Sequence, residues 1–400
     1  MATLQATTRD GTAWLVILGI SLCHLLNDVM QSLLAAIYPL LQAEFALSFG
    51  QIGLMTFAFQ VTAALLQPAV GWATDRRPAP WLLPVGMMCT LVGLVLLALA
   101  HGYGWLLAGA VLIGLGSAVF HPEASRVARL AAGGRYGTAQ SLFQVGGNAG
   151  TALGPLLAAF VVVPMGRPSV AWFAVAALLG SLILQRIAVW HGRMREAAAR
   201  RPQPVRVSML SRRRVWLAIA VLAVLTLSKN SYTAGMTSYY IFFLIERFGI
   251  GTQAAQLMLF LFLGAAAVGV AVGGIVGDRI GARTVIWVSI LGVLPFTLAL
   301  PHVGLVATGV LSVIIGVLIS CAFPAIVVYA QELVPGRVGM IAGLFFGFAF
   351  GMGGIAAALL GVLADLQGLA VVFQLCGLLP ALGLLAVFLP RQHELQGRMA

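Results

Sequence analysis

The sequence predicts an all-α membrane protein whose twelve transmembrane helices form two pseudo-symmetric six-helix bundles, and three observations carry that prediction. The 400 residues are 61% hydrophobic and only 8% charged, with a mean hydropathy of +1.02, whereas soluble domains are about a quarter charged. A bilayer crossing takes roughly 20 apolar residues. Cutting the chain at its polar and Pro/Gly breaks leaves runs at 13–38, 50–73, 81–100, 105–127, 137–162, 169–190, 215–245, 253–276, 284–300, 304–330, 338–362 and 368–389. Landmarks of the first half also recur in the second, which is the mark of an internal repeat. Gln51 returns as Gln253, Phe120-His121-Pro122 as Ala322-Phe323-Pro324, Arg135-Tyr136-Gly137 as Arg337-Val338-Gly339 and Phe143 as Phe345, each 202 positions on. The expected domains are therefore 1–190, a basic cytoplasmic linker at 191–214, and 215–400.

The net charge of +12 is explained by its distribution. With a cytoplasmic N-terminus, all of the 23 Lys and Arg residues except Arg167, Arg247 and Lys229 fall in cytoplasmic tails, loops or helix ends. That is the positive-inside asymmetry of a membrane protein, so no nucleic-acid partner is expected. Both termini are expected in the cytoplasm and the chain in a bacterial-type inner membrane. The first run carries His24, Asn27, Asp28 and Gln31 and is too long and polar for a cleavable leader, so it is expected to remain as the first helix. Cys23, Cys89, Cys321 and Cys376 lie inside predicted spans without metal-ligand spacing and read as small packing residues.

Taken in order, the runs differ in their polar content. In the first, His24, Asp28 and Gln31 share one helical face, and an ionisable residue near mid-membrane marks a site. Asp28 is the first choice for a proton carrier and His24 its partner. The second run places Gln60 and Gln67 on one face and ends in Gly71-Trp72-Ala73-Thr74-Asp75-Arg76-Arg77. In the fourth, His121 lies 16 residues beyond Trp105, about 24 Å along a helix. This places His121, Glu123 and Arg126 toward the cytoplasmic end, within reach of Asp75 and Arg76. Glu123 is the second choice for proton coupling, with His121 beside it.

The fifth run holds Gln140, Gln144 and Asn148 as one stripe. The seventh holds Lys229, the chain's one lysine, with Asn230 and Tyr232. Gln31, Gln140, Gln144, Asn148, Lys229 and Asn230 are the expected substrate-binding set, in which Lys229 supplies the charge an anion needs, because an unpaired buried anion is costly. The repeats are chemically unequal: Glu123 is answered by Ala325, Gln140 by Ala342 and Gln144 by Phe346. Trp14, Trp81, Trp105 and Trp216 sit at predicted span ends, where indole anchors to the membrane interface.

The segment Gly71-Trp72-Ala73-Thr74-Asp75-Arg76-Arg77-Pro78 resembles the loop signature of the major facilitator superfamily, with Pro78 where that family has Gly. Gly274-Ile275-Val276-Gly277-Asp278-Arg279-Ile280-Gly281-Ala282-Arg283 is a fuller copy. Gly150-Thr151-Ala152-Leu153-Gly154-Pro155 resembles the fifth-helix motif of the superfamily's drug:proton antiporters, with alanines in place of its closing glycines. His24-x-x-x-Asp28-x-x-Gln31, Gln67-Pro68, Phe120-His121-Pro122-Glu123-Ala124-Ser125-Arg126 and Gln140-Ser141-Leu142-Phe143-Gln144-Val145-Gly146-Gly147-Asn148 are similar to the fosmidomycin-resistance branch.

The resemblance implies the major facilitator fold and export of a small anionic phosphonate antibiotic against protons, without a cofactor. It implies a cavity lined by helices one, four, seven and ten, exposed to alternate sides as the two halves rock. It also implies a cytoplasmic gate drawn from Gly71, Asp75, Arg76, Arg126, Asp278, Arg279 and Arg283, and an antiporter motif at Gly150, Gly154 and Pro155. A monomer is expected. Two other readings stand beside it. An importer of a small organic metabolite differs only in direction and substrate. A membrane-embedded metalloenzyme is disfavoured because His121 is expected near the cytoplasmic end and His24 nearer the middle, with no HExxH pattern; no metal site is expected.

Overall fold

The computed structural model describes residues 11–47, 49–199, 210–391 and 394, and among them every regular element is helical. Ten helical stretches are long and apolar enough to cross a membrane, and Leu82–Ala98 is a shorter apolar helix. Tyr136–Leu157, prolonged by a π-helical turn at Ala158–Val162, completes a series of twelve.

In chain order the helices of the first half are Trp14–Ala36, Phe49–Arg76, Leu82–Ala98, Tyr103–Ala131, Tyr136–Leu157 and Phe173–Ala199. Those of the second are Arg212–Phe248, Thr252–Ile280, Ala282–Ile290 continued by Leu294–Ala299, Leu305–Ser320 continued by Ala322–Leu333, Val338–Gln367, and Leu369–Leu378 continued by a 3-10 stretch at Leu379–Phe388. Residues 200–209 of the basic linker lie outside the described residues.

The chain divides into two units. One comprises Met1–Val205 with Gly336–Gly347, the other Arg206–Pro335 with Phe348–Ala400. The first turns of the eleventh helix thus belong with the first unit, a division that follows from close packing at glycines. A Cβ at Gly71 would strike the Gly339 carbonyl, one at Gly343 the Gln67 carbonyl, and one at Gly347 the Ala64 carbonyl. Without side chains at these points the second and eleventh helices approach backbone to backbone, the small-residue packing that membrane helices use in place of a hydrophobic drive.

The same device joins the first and fifth helices. Cβ atoms at Gly146, Gly150 and Gly154 would meet Ser21 O, Leu25 O and Ser32 Oγ. Ser21 Oγ donates to Leu142 O at 2.6 Å across this contact.

The interiors of the two units differ in chemistry. The second unit is centred on Tyr232, Met236, Tyr240, Phe243, Leu244, Phe262 and Phe373. In the first, His24, Asn27, Asp28, His121, Glu123, Arg126, Gln140 and Gln144 are all buried. Leucine, valine and phenylalanine cover much of the exposed surface of both, as a lipid-facing surface requires. Trp14, Trp81, Trp105 and Trp216 are exposed near the starts of the first, third, fourth and seventh helices.

Candidate functional site

Three polar clusters contain most of the residues singled out from the sequence, two in the first unit and one in the second. The ends of the first and fourth helices are level: Ala13 N donates to Ala131 O at 2.8 Å, and Thr12 Oγ1 to Ala132 O at 3.1 Å. From that common end Asp28 is roughly 22 Å along its helix and His121 roughly 15 Å along the other, at 1.5 Å per residue. Side chains span the remaining turn. His121 does not sit at the depth expected from the sequence. The fourth helix runs on to Ala131, so His121 lies deeper than expected and joins Asp28 instead of the gate residues.

The first cluster is built on the Asp28 carboxylate. Asn27 Nδ2 and Gln31 Nε2 donate to its Oδ1 at 3.0 and 3.2 Å. His24 Nε2 lies 3.4 Å from Oδ2 and His121 Nε2 lies 3.8 Å from Oδ1. His24 Nδ1 is 2.7 Å from Phe143 O and His121 Nδ1 is 3.0 Å from Ser117 O. A carbonyl can only accept, so donation to these carbonyls places a hydrogen on Nδ1 of each ring; Ser117 Oγ also lies 3.3 Å from His121 Nδ1. Each Nε2 then carries a hydrogen only when its ring is cationic. In that tautomer, with neutral rings, both Nε2 lone pairs face the carboxylate, an arrangement that a cation would stabilise.

Aromatic walls hold the rings in place. His24 stacks on Phe143 with centroids 4.1 Å apart and meets His121 edge-on at 5.1 Å. His121 also lies 5.2 Å from the Phe346 ring. Gly147 backs the cluster, because a Cβ there would strike the His24 ring and lie 2.9 Å from Asp28 Oδ2.

The second cluster centres on Arg126. Its Nη1 donates to both Glu123 oxygens at 2.8 and 3.0 Å and to Thr74 O at 3.2 Å. Its Nη2 donates to Asp75 Oδ1 at 2.5 Å and to Thr74 Oγ1 at 3.0 Å. Thr74 Oγ1 in turn makes a short hydrogen bond to Glu123 Oε1. Asp75 accepts Gly339 N at 3.0 Å and Met340 N at 2.8 Å, which are free donors of the eleventh helix's first turn. Every charge in this group has partners, as buried charge requires.

Glu123, the second choice for the proton-coupling group, is engaged with Arg126. Arg76 does not join the network; its guanidinium covers the Trp72 ring at 3.9 Å. In the other repeat Asp278 and Arg279 are exposed, and Arg283 donates to Val387 O at 3.3 Å. The more complete copy of the signature carries no comparable buried network among the described residues.

The third cluster lies midway along the 37-residue seventh helix. Lys229 Nζ donates to Asn230 Oδ1 at 3.2 Å and lies 5.6 Å from the Phe323 ring. No carboxylate pairs with it among the described residues. Tyr232 belongs instead to the apolar core of its unit.

Of the amide stripe, Gln140 accepts from Ser125 Oγ at 3.0 Å, Gln144 is buried and Asn148 is exposed. Gly150 and Gly154 face the first helix; the side chain of Pro155 lies outside those described. Thr74, Gly339 and Met340 went unnoticed in the sequence as members of the Arg126 network. Only the Arg337-Val338-Gly339 recurrence marked that region.

Residues 20–358 match the family model described as Major Facilitator Superfamily, and the chain belongs to that family of membrane transporters. It is 55% identical over 385 residues to the fosmidomycin resistance protein of Escherichia coli (strain K12), an alignment covering 96% of this chain and 95% of that protein. It is 38% identical over 390 residues to the uncharacterized MFS-type transporter YfnC of Bacillus subtilis (strain 168), with coverage of 96% and 95%. Among solved structures, the transporter FucP in its outward conformation matches with a TM-score of 0.73 at 17% identity, over 94% of this chain and 99% of that one. The human organic anion transporter MFSD10 matches with a TM-score of 0.73 at 18% identity and the same coverage. These two establish the fold alone.

Proposed function

We propose that the chain exports a small anionic antibiotic, fosmidomycin or a related phosphonate, in exchange for protons, the two bundles giving alternating access. The observation that carries the coupling is the convergence of His24 Nε2 and His121 Nε2 on the Asp28 carboxylate. This set takes up a proton between Asp28 and either Nε2 and is stabilised by it. The E. coli relative, named for fosmidomycin resistance, supports the substrate class.

Lys229, with no carboxylate partner among the described residues, supplies the positive charge an anion needs, and Asn230 a neighbouring amide. The Asp75–Arg126–Glu123 network with the Gly339 and Met340 amides acts as a lock on the cytoplasmic side, the orientation that the distribution of Lys and Arg favours. Both termini are then cytoplasmic.

The test is accumulation of labelled phosphonate in inverted vesicles under an imposed proton gradient. Asp28→Asn abolishes gradient-driven accumulation while leaving exchange of substrate for substrate. If Asp28→Asn accumulates normally, Asp28 is not the coupling group.

A further inference from the structure

We infer that His24, Asp28 and His121 form a binding site for a first-row divalent transition cation such as Zn2+. The inference stands on ligand geometry and is independent of whether Asp28 carries the transported proton. One ligand atom from each residue lies within 4.8 Å of the other two, and all three residues are buried. A tetrahedral zinc ion with bonds of about 2.0–2.1 Å separates its ligands by roughly 3.3 Å. The His24 Nε2 to Asp28 Oδ2 separation is already 3.4 Å and the His121 Nε2 to Oδ1 separation 3.8 Å. Every pair lies within 4.8 Å, so closing the set takes side-chain shifts of at most about 1.5 Å.

The surroundings are those of a ligand set held for a metal. A histidine that ligates through Nε2 ordinarily donates Nδ1–H to a backbone carbonyl, which fixes the tautomer and aims the lone pair. Here both rings do so, His24 on Phe143 O and His121 on Ser117 O. Asn27 and Gln31 hold the carboxylate by donating to Oδ1. Asn27, 1% exposed, also has an Oδ1 atom without a hydrogen-bond partner. Two imidazoles and one carboxylate make three protein ligands, leaving a fourth position for water. Imidazole with carboxylate suits zinc, cobalt, nickel or copper better than calcium or magnesium, which prefer an all-oxygen set. Among the described residues no other group of three such ligands converges.

The test uses the purified full chain in lipid nanodiscs, with a histidine-free affinity tag, titrated with Co2+ and then with Zn2+. The expected result is one Co2+ per chain with the intense visible absorption of a four- or five-coordinate ion, displaced by Zn2+. His24→Gln, His121→Gln and Asp28→Asn should each weaken binding at least tenfold. His121→Cys is the variant that guards against misfolding: it should bind Co2+ and add a thiolate-to-cobalt charge-transfer band. An unchanged Co2+ spectrum and stoichiometry in all three single variants overturns the site, as does a weak octahedral spectrum in the unaltered chain. Wild-type Co2+ binding together with normal transport by Asp28→Asn would sink the coupling proposal while leaving the metal site standing.

Discussion

His24 is fixed twice by Phe143: its Nδ1 donates to the Phe143 carbonyl at 2.7 Å, and its ring stacks on the Phe143 ring at 4.1 Å. Rotation of the imidazole breaks both contacts at once, so one tautomer and one orientation are selected. In 15N spectra of the histidine-labelled chain, neutral His24 and His121 should both carry hydrogen on Nδ1. A neutral Nε2–H form at both positions contradicts the carbonyl contacts.

Gly147→Ala should be disruptive for a local reason. The added methyl would strike the His24 ring, and overpacking of this kind costs about 1–3 kcal/mol. Thermal unfolding should show that loss, and proton-driven accumulation should fall with it. Gly104→Ala, where a Cβ meets nothing within 4 Å, is the matched control and should change neither.

Breaking the Arg126 network from one side should cost more than removing it from both. Arg126→Gln leaves Glu123, fully buried, without its cation, a change worth about 3–5 kcal/mol. The double variant Glu123→Leu with Arg126→Met removes the buried pair, and its stability should recover most of that loss. Denaturation in detergent measures the stabilities. Equal destabilisation by the single and double variants would show that the network is not an ion-pair unit.

Lys229→Gln should weaken binding of an anionic phosphonate by roughly 10- to 150-fold, the equivalent of one charge-assisted hydrogen bond of about 1.5–3 kcal/mol. Lys229→Arg should retain part of the affinity. Equilibrium binding to the purified chain is the measurement. Unchanged affinity in Lys229→Gln places the substrate charge elsewhere.

The fold was legible because hydropathy and a 202-residue recurrence are summed over many positions, and no single residue decides them. The sites were legible only in part. The face of His24, Asp28 and Gln31 follows from spacing within one helix, and all three do meet at one carboxylate. The partnership of Asp28 with His121 depends on where two helices end. The fourth helix's last turn, through Arg129 and Ala131, is too polar to count as membrane span, and a run that ends before it places His121 too shallow. That misplacement was the main geometric objection to a metal site there, and the observed convergence of His24, Asp28 and His121 removes it. Arg76 and Asn148 illustrate a second limit, since their faces depend on neighbours that one helix's sequence does not name.

The Asp75 hydrogen bonds to Gly339 and Met340 close a loop of 264 and 265 residues, with a consequence for biosynthesis. Domains fold from the N-terminus as the chain emerges, yet this unit stays incomplete until ten helices have been inserted and the eleventh begins. Over that interval Asp75 lacks its two amide donors, and the glycine-lined face of the second helix has no partner from the eleventh. The first bundle is therefore the first to be made but cannot be finished until almost the whole chain exists, which makes the nascent protein vulnerable to truncation anywhere before Gly336.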